Sequence, residues 1–536
     1  MGPVALSVVP GIAAQTGSGR QRAADERLMN RTHAATWVRV LYSAIFLVAL
    51  VYSIAPPWSE QADIWETSAA IQAISDAPLS PRNPLLDLPG DTSPRFTPYT
   101  VVWGIVDKIF GLDLFTTVAI AGLVNLLLFL TGLSRVIKTL TDDRRAFLWI
   151  LPVMLIAWGH GYGEANGYQA ELFFSTLAYV GMFTYGLCFH GIAELNRYLQ
   201  NSARSGLVAY ALLGIIAFLT HPITALLLFV GAFAWAVPRA KFSTVLLLQI
   251  VPVIALASCW LWPYFDYPAL LFRGTSESWY QVRLFDDQLT KVGPALLGIL
   301  VAGYFALRGR YLEPAIALGC SLTIYLASWA LDIQIGSRFI FYGAIFAHIC
   351  LGLFLWESGL VRRGFFQQHI ARVGIVLLLA AALFVPGLYY RAYKLNKQWA
   401  PAIESYERTH SLPEPWDDLE ILRDRLDQNS IVMVEDTVGW RLPATTGARL
   451  VAQAKGDPLI QDEVNRRRAD ATSFFDDDLE TADRLLLLSK YNCTHVLVDE
   501  RHADRNSPSL KRDLGLLAVP VVYKTPFRLY KVTTAG

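Results

Sequence analysis

The sequence predicts a polytopic α-helical membrane protein of about eleven transmembrane helices, followed by a C-terminal extracytoplasmic α/β domain. Three observations predict it. Of the 536 residues 54% are hydrophobic and only 17% charged, whereas soluble domains run nearer a quarter charged. Apolar runs of bilayer-spanning length recur between residues 36 and 390. From residue 391 the pattern changes to short β-branched runs alternating with helical segments, the pattern of a small α/β domain.

Residues 1–35 carry no signal-peptide pattern and read as a disordered cytoplasmic tail. The expected spans fall roughly at 36–57, 113–136, 146–160, 170–191, 206–220, 222–237, 243–263, 292–308, 313–331, 338–357 and 372–390. Alternate junctions collect the bases: Arg135, Lys138, Arg144 and Arg145, then Arg197 and Arg204, Arg239 and Lys241, Arg308 and Arg310, and Arg362, Arg363 and Arg372. The net charge of +1 hides this placement. Lys and Arg stay on the side of synthesis, so the expected N-terminus is cytoplasmic. The acid-rich loop 58–112 and the domain 391–536 then face the periplasm of a bacterial inner membrane.

That loop opens with SEQADIWETSAAIQAIS, free of Gly and Pro, with its acids early, where a helix dipole favours them. In such a helix Asp63 and Glu66 lie about 60° apart on one face. PLSPRNPLLDLPGDTSPRFTP reads as a turn-rich connection, and YTVVWGIVDKIFG as an interfacial or re-entrant helix. In the tail, SIVMVED and THVLVDE read as buried strands, DDLETADRLLLLSKY as a helix, and PVVYKTPFRLYKV as a hairpin with an edge proline. The five cysteines show no metal-ligand spacing, which excludes a disulfide framework and a thiolate zinc site.

Asp63 leads the candidates for chemistry. A carboxylate at the mouth of a helix bundle can take the proton of an incoming hydroxyl, and Glu66 can share or orient that role, with Glu60 a weaker third. The plain alternative is a helix-opening acid in a solvated loop. The second external loop, WGHGYGEANGYQAE, supplies His160, Glu164, Asn166 and Glu171 among glycines. A His and two carboxylates suit a divalent cation, Mg or Mn, although a Gly-rich turn accounts for them equally well. Arg338 opens a span from the external side, where a planar fork suits a phosphate and Asp332 is the structural alternative partner. Arg95, Arg273, Arg283 and Lys291 also lie outside. His221, in THPIT, sits at a tight external turn and reads first as a turn residue.

The order and sidedness of QADIWETSAAIQAISDAPLSP, SPRFTPYTVVWGI, THPIT, WLWPYFDYPALL, GSRFIFY and the tail VEDTVGWRLPATTGARLVAQ to LLLLSKYNCTHVLVDE resemble the GT-C superfamily of membrane glycosyltransferases. That superfamily includes the protein O-mannosyltransferase-like and aminoarabinose-transferase-like enzymes of bacteria. The resemblance covers nearly the whole chain. It implies a GT-C-like transmembrane module over 36–390 and a polyprenyl-phosphate-linked sugar donor. The sugar would pass with inversion, on the periplasmic face, to a lipid, glycan or protein acceptor. Asp63 matches the catalytic carboxylate, Glu164 or Glu171 the second-loop acid, and Arg338, helped by Arg95, the donor-phosphate contact. His221 would line the site. The implied partners are donor, acceptor and bilayer, with no nucleic acid. One departure is plain: the first two external loops lack an Asp-Asp, Asp-Glu or Asp-x-Asp pair and offer only D-x-x-E. A transporter of lipid-linked intermediates, or a scaffold for envelope assembly, remains the alternative class.

Overall fold

A computed structural model of the chain describes residues 36–52 except 38, 62–88, 92–159, 168–272, 283–358, parts of 385–407, 419–434, 439–453, 457–500, 508–524 and 526–533. The first part is helical: α1 (Arg39–Tyr52), α2 (Ala62–Asp76), α3 (Pro98–Phe110), α4 (Leu114–Leu140), α5 (Arg145–Ile156), α6 (Ala170–Ser175), α7 (Val180–Asn201), α8 (Arg204–Thr220) and α9 (Pro222–Ala236). They are followed by α10 (Phe242–Leu261), α11 (Leu297–Leu307), α12 (Leu312–Ala330) and α13 (Phe339–Ser358).

Among the described residues four helical stretches are long and apolar enough to cross a membrane, Leu114–Leu140, Phe242–Leu261, Leu312–Ala330 and Gln334–Ser358. Five shorter apolar helices match further expected spans. The expected span at 372–390 lies almost wholly outside the described residues. A difference appears at 170–191, where one continuous helix was expected and the chain breaks at 176–179. Side chains of neighbouring helices take the carbonyls that a continuing helix would use: Asn125 Nδ2 donates to Leu177 O at 2.8 Å and Tyr99 Oη to Ala178 O at 2.7 Å. Ser175 and Thr176 hydroxyls bond back to the carbonyls of Glu171 and Leu172, which also competes with helix continuation. α7 then runs on to Asn201, because Glu194 is paired with both Arg135 and Arg197.

α13 is the axis of the bundle. Every residue from Phe339 to Leu353 is buried, as expected of a helix apolar all round. Its neighbours come close where glycine permits: a Cβ on Gly298 would lie 2.3 Å from Ala347 O, and one on Gly352 2.6 Å from Ile150 Cα. His348 bonds Ala157 O at 2.8 Å and Tyr168 Oη at 3.1 Å.

Residues 419–533 build a five-stranded sheet of order β2-β1-β3-β5-β4. The strands are β1 (Ile431–Val434), β2 (Arg449–Leu450), β3 (His495–Asp499), β4 (Ala518–Lys524) and β5 (Phe527–Val532). β1 pairs in parallel with β2 and β3, whereas β5 pairs antiparallel with β3 and β4. Pro520 sits on edge strand β4, beside a register shift, where its missing N–H interrupts the ladder least. The helices Gln461–Phe474, Thr481–Lys490 and Pro508–Leu517 accompany the sheet. Fully buried Arg484 pairs with Asp513 and donates to the carbonyls of Phe474, Asp476 and Leu479.

Candidate active site at the junction of the first loop and the C-terminal unit

The site begins with α2. Ile64 and Trp65 are buried, and Trp65 meets Phe115 of α4 edge-on at 6.1 Å, which fixes the helix against the bundle. Thr67 Oγ1 donates to the Asp63 carbonyl at 2.8 Å. The two acids near the start of α2 part company here. Asp63 is half-buried, while Glu66 is only 8% exposed.

Glu66 Oε2 accepts from Arg95 Nε at 2.9 Å, and Arg95 Nη1 reaches Asp457 Oδ2 at 3.3 Å. Burial works against the Arg95 charge, but Glu66, Asp457 and Asp63 outweigh it, so its pKa rises above the ordinary arginine value. Two carboxylates hold the Arg95 fork, so it ties α2, through Glu66, to Asp457 of the C-terminal unit.

The loop 82–87 extends the clamp. Asn83 Oδ1 accepts from the amides of Leu85 and Leu86, which turns the chain so that Leu86 bridges Leu450 in parallel. Leu450 N donates to Leu85 O at 2.7 Å, so the first loop covers the free edge of β2. Asp87 pairs with Arg449, and Arg82 Nη1 donates to Asn429 Oδ1 at 3.1 Å. Sequence reasoning missed Asp457, which sits in AKGDP, a stretch with no periodicity to flag it.

In the second external loop, His160 and Glu164 lie outside the described residues. Glu171 is described, and it is neither solvent-facing nor in a ligand cluster. It forms a buried ion pair with Arg391, whose Nη2 also donates to Gly159 O at 2.6 Å. The guanidinium holds one of its two carboxylate oxygens. Sequence reasoning missed Arg391, which stands in YYRAYKLNK among other bases that give it no distinguishing signal. Among the described residues no group of three or more His, Cys, Asp or Glu could hold a metal ion.

Arg338 closes the turn Gln334–Arg338 that leads into α13. It is 8% exposed and close enough to Tyr185 and Tyr342 to act on both electrostatically. Asp332, its alternative partner, is exposed. His221 caps α9: its Nδ1 accepts from Thr224 N at 3.2 Å, and Tyr179 Oη lies 3.4 Å from its Nε2. The turn-residue reading of His221 fits this geometry. The side chains of Arg273 and Arg283 lie outside the described residues.

No protein-family model and no curated protein matches the chain. Among solved structures it is similar to an oligosaccharyltransferase of Archaeoglobus fulgidus, at 15% identity and TM-score 0.47, over 92% of this chain and 74% of that one. A structure of that oligosaccharyltransferase in complex with Zn and sulfate gives 14% identity and TM-score 0.44, over 92% of this chain and 72% of that one. ArnT from Cupriavidus metallidurans is similar at 16% identity and TM-score 0.46, over 93% of this chain and 98% of that one.

Proposed function

We propose that the protein is a membrane glycosyltransferase that moves a sugar from a polyprenyl-phosphate-linked donor to a lipid, glycan or protein hydroxyl on the periplasmic face. The observation that carries the reading is the division of labour on α2. Glu66 is consumed by the Arg95 clamp, while Asp63, one turn earlier on nearly the same face, keeps part of its surface open. A carboxylate held on a rigid, doubly anchored helix has the preorganisation that a general base needs.

Asp63 takes the proton of the acceptor hydroxyl as that oxygen bonds to the anomeric carbon. The bond from the anomeric carbon to the phosphate oxygen breaks, and its electron pair leaves with the phosphate. Attack from the opposite face inverts the configuration. Arg338, buried at a span end, stabilises the departing phosphate charge.

The test is complementation of a deletion strain with wild type or Asp63→Asn at equal membrane levels, read by mass spectrometry of envelope glycans and polyprenyl-linked lipids. Turnover should fall by about 10²–10⁴-fold, the usual share of base catalysis, and the sugar modification should return with wild type alone. Full restoration by Asp63→Asn would remove Asp63 from the mechanism and promote the transporter reading.

A further inference from the structure

One cavity is lined by residues of α1, α4 and α5 and by none of α2. It has a volume of 620 Å³ and opens where the N-terminal end of α1, the C-terminal end of α4 and the start of α5 meet. Because α1 and α4 each run across the bundle from or to the first loop, this is the membrane face opposite to Asp63. In the orientation that the basic junctions imply, it is the cytoplasmic face.

Its lining has two halves. Arg39, Lys138 and Arg144 supply positive charge, all three exposed. The two carboxylates there differ: Asp143 is bound by Arg145 through Nε at 2.8 and 3.0 Å and Nη2 at 2.5 Å, which leaves Asp142 as the only counter-charge of the lining not taken in this way. No ion pair takes Arg39, Lys138 or Arg144 among the described residues, so the cavity presents a surplus of cations. Ser43 adds a hydroxyl able to donate to an oxyanion, while Ser134 is hydrogen-bonded to Tyr42.

The apolar half continues out of the cavity. Tyr42 stacks on Phe147 at 5.2 Å and forms its floor. Along α1, Arg39, Ser43, Phe46, Leu47 and Leu50 follow the 3–4 spacing of one helix face. The last three are 38%, 61% and 38% exposed. One stripe thus runs from cation to hydroxyl to bare hydrocarbon-facing side chains, the sequence of groups along a phospholipid.

We infer that this cavity binds the phosphate-bearing head group of an anionic phospholipid, with its acyl chains along the exposed face of α1. Cations between helices at the cytoplasmic surface are a setting that recognises such head groups. A free phosphate ion would use the cations and hydroxyl but leave the apolar stripe idle. The site is independent of the proposed transfer reaction and is tested without it.

The experiment is native mass spectrometry of the full chain from detergent, titrated with dioleoyl phosphatidylglycerol, with dioleoyl phosphatidylcholine of the same chains, and with inorganic phosphate. Wild type should retain phosphatidylglycerol at least tenfold better than phosphatidylcholine, and inorganic phosphate should not displace it at equal concentration. Lys138→Glu with Arg144→Glu should lower phosphatidylglycerol occupancy at least about 25-fold, the product of two lost cation contacts worth about fivefold each, to which the new carboxylates add repulsion. Lys241→Glu, at an exposed base outside the cavity, should change it less than twofold. If the reversal variant does not fold, Arg39→Gln with Lys138→Gln and Arg144→Gln gives the same reading with a milder change. Equal retention of the two lipids, equal loss in the Lys241 control, or displacement by inorganic phosphate would each overturn the assignment.

Discussion

Removing the Arg95 guanidinium tests the clamp that holds the first loop to the C-terminal unit. Arg95→Met keeps much of the aliphatic bulk and deletes the fork that Glu66 and Asp457 share at 2.9 and 3.3 Å. Breaking a buried pair by removing one partner costs about 3–5 kcal/mol, because the other charge stays behind. Here two carboxylates stay behind, with side chains 11% and 3% exposed, while the arginine itself was 12% exposed. Partial access to water lowers the expected cost to about 2–3 kcal/mol of docking free energy. That loss should appear in hydrogen exchange at the Leu450 amide, whose bond to Leu85 O exists only while the loop is docked. At about 1.4 kcal/mol per factor of ten, exchange there should quicken roughly 30- to 150-fold. The interior of β3 should keep its protection. Asp457→Ala combined with Arg95→Met should cost less than the two single losses together, because both remove one interaction. Leu450 exchange unchanged within twofold in Arg95→Met would refute the clamp.

Other outcomes follow from the same geometry. Arg391→Met strips the partner from buried Glu171 and should destabilise the bundle by about 3–5 kcal/mol, seen as a lower thermal midpoint; Arg391→Met with Glu171→Gln should recover part of it. Acid should loosen the C-terminal unit in two stages, followed by limited proteolysis of the full chain against pH. Burial, then Lys531, holds His495 below its ordinary value of 6.5. Its contribution is therefore complete above that pH and is lost as pH falls through the depressed folded value. Burial opposes the charge of Asp470 and of Asp513, but Lys490 and Tyr491 for the first, and Thr481, Arg484 and Arg512 for the second, hold both below 3.8. Their stabilisation persists at pH 4 and disappears only in stronger acid. Proteolysis that is flat from pH 7 to 3 would contradict the assignments.

Sequence alone reached a good deal of this molecule. Apolar run length fixed most of the helices, since a bilayer-length stretch with its backbone satisfied internally has few other solutions. Short apolar, β-branched runs located β1 and β3, and the proline in PVVYK marked an edge strand, because Pro cannot serve the middle of a ladder. The helix of Asp63 and Glu66 was legible from its missing Gly and Pro. What sequence could not supply was pairing at long range. Arg95 meets Asp457 across 362 positions and Glu171 meets Arg391 across 220, and no local period encodes either contact. The same holds for the broken segment before α7, whose carbonyls are claimed by Tyr99 and Asn125 from other helices. Local patterns are set by each residue's own neighbours in the chain. Which charges neutralise one another depends on partners that only the packed tertiary structure brings within hydrogen-bonding distance.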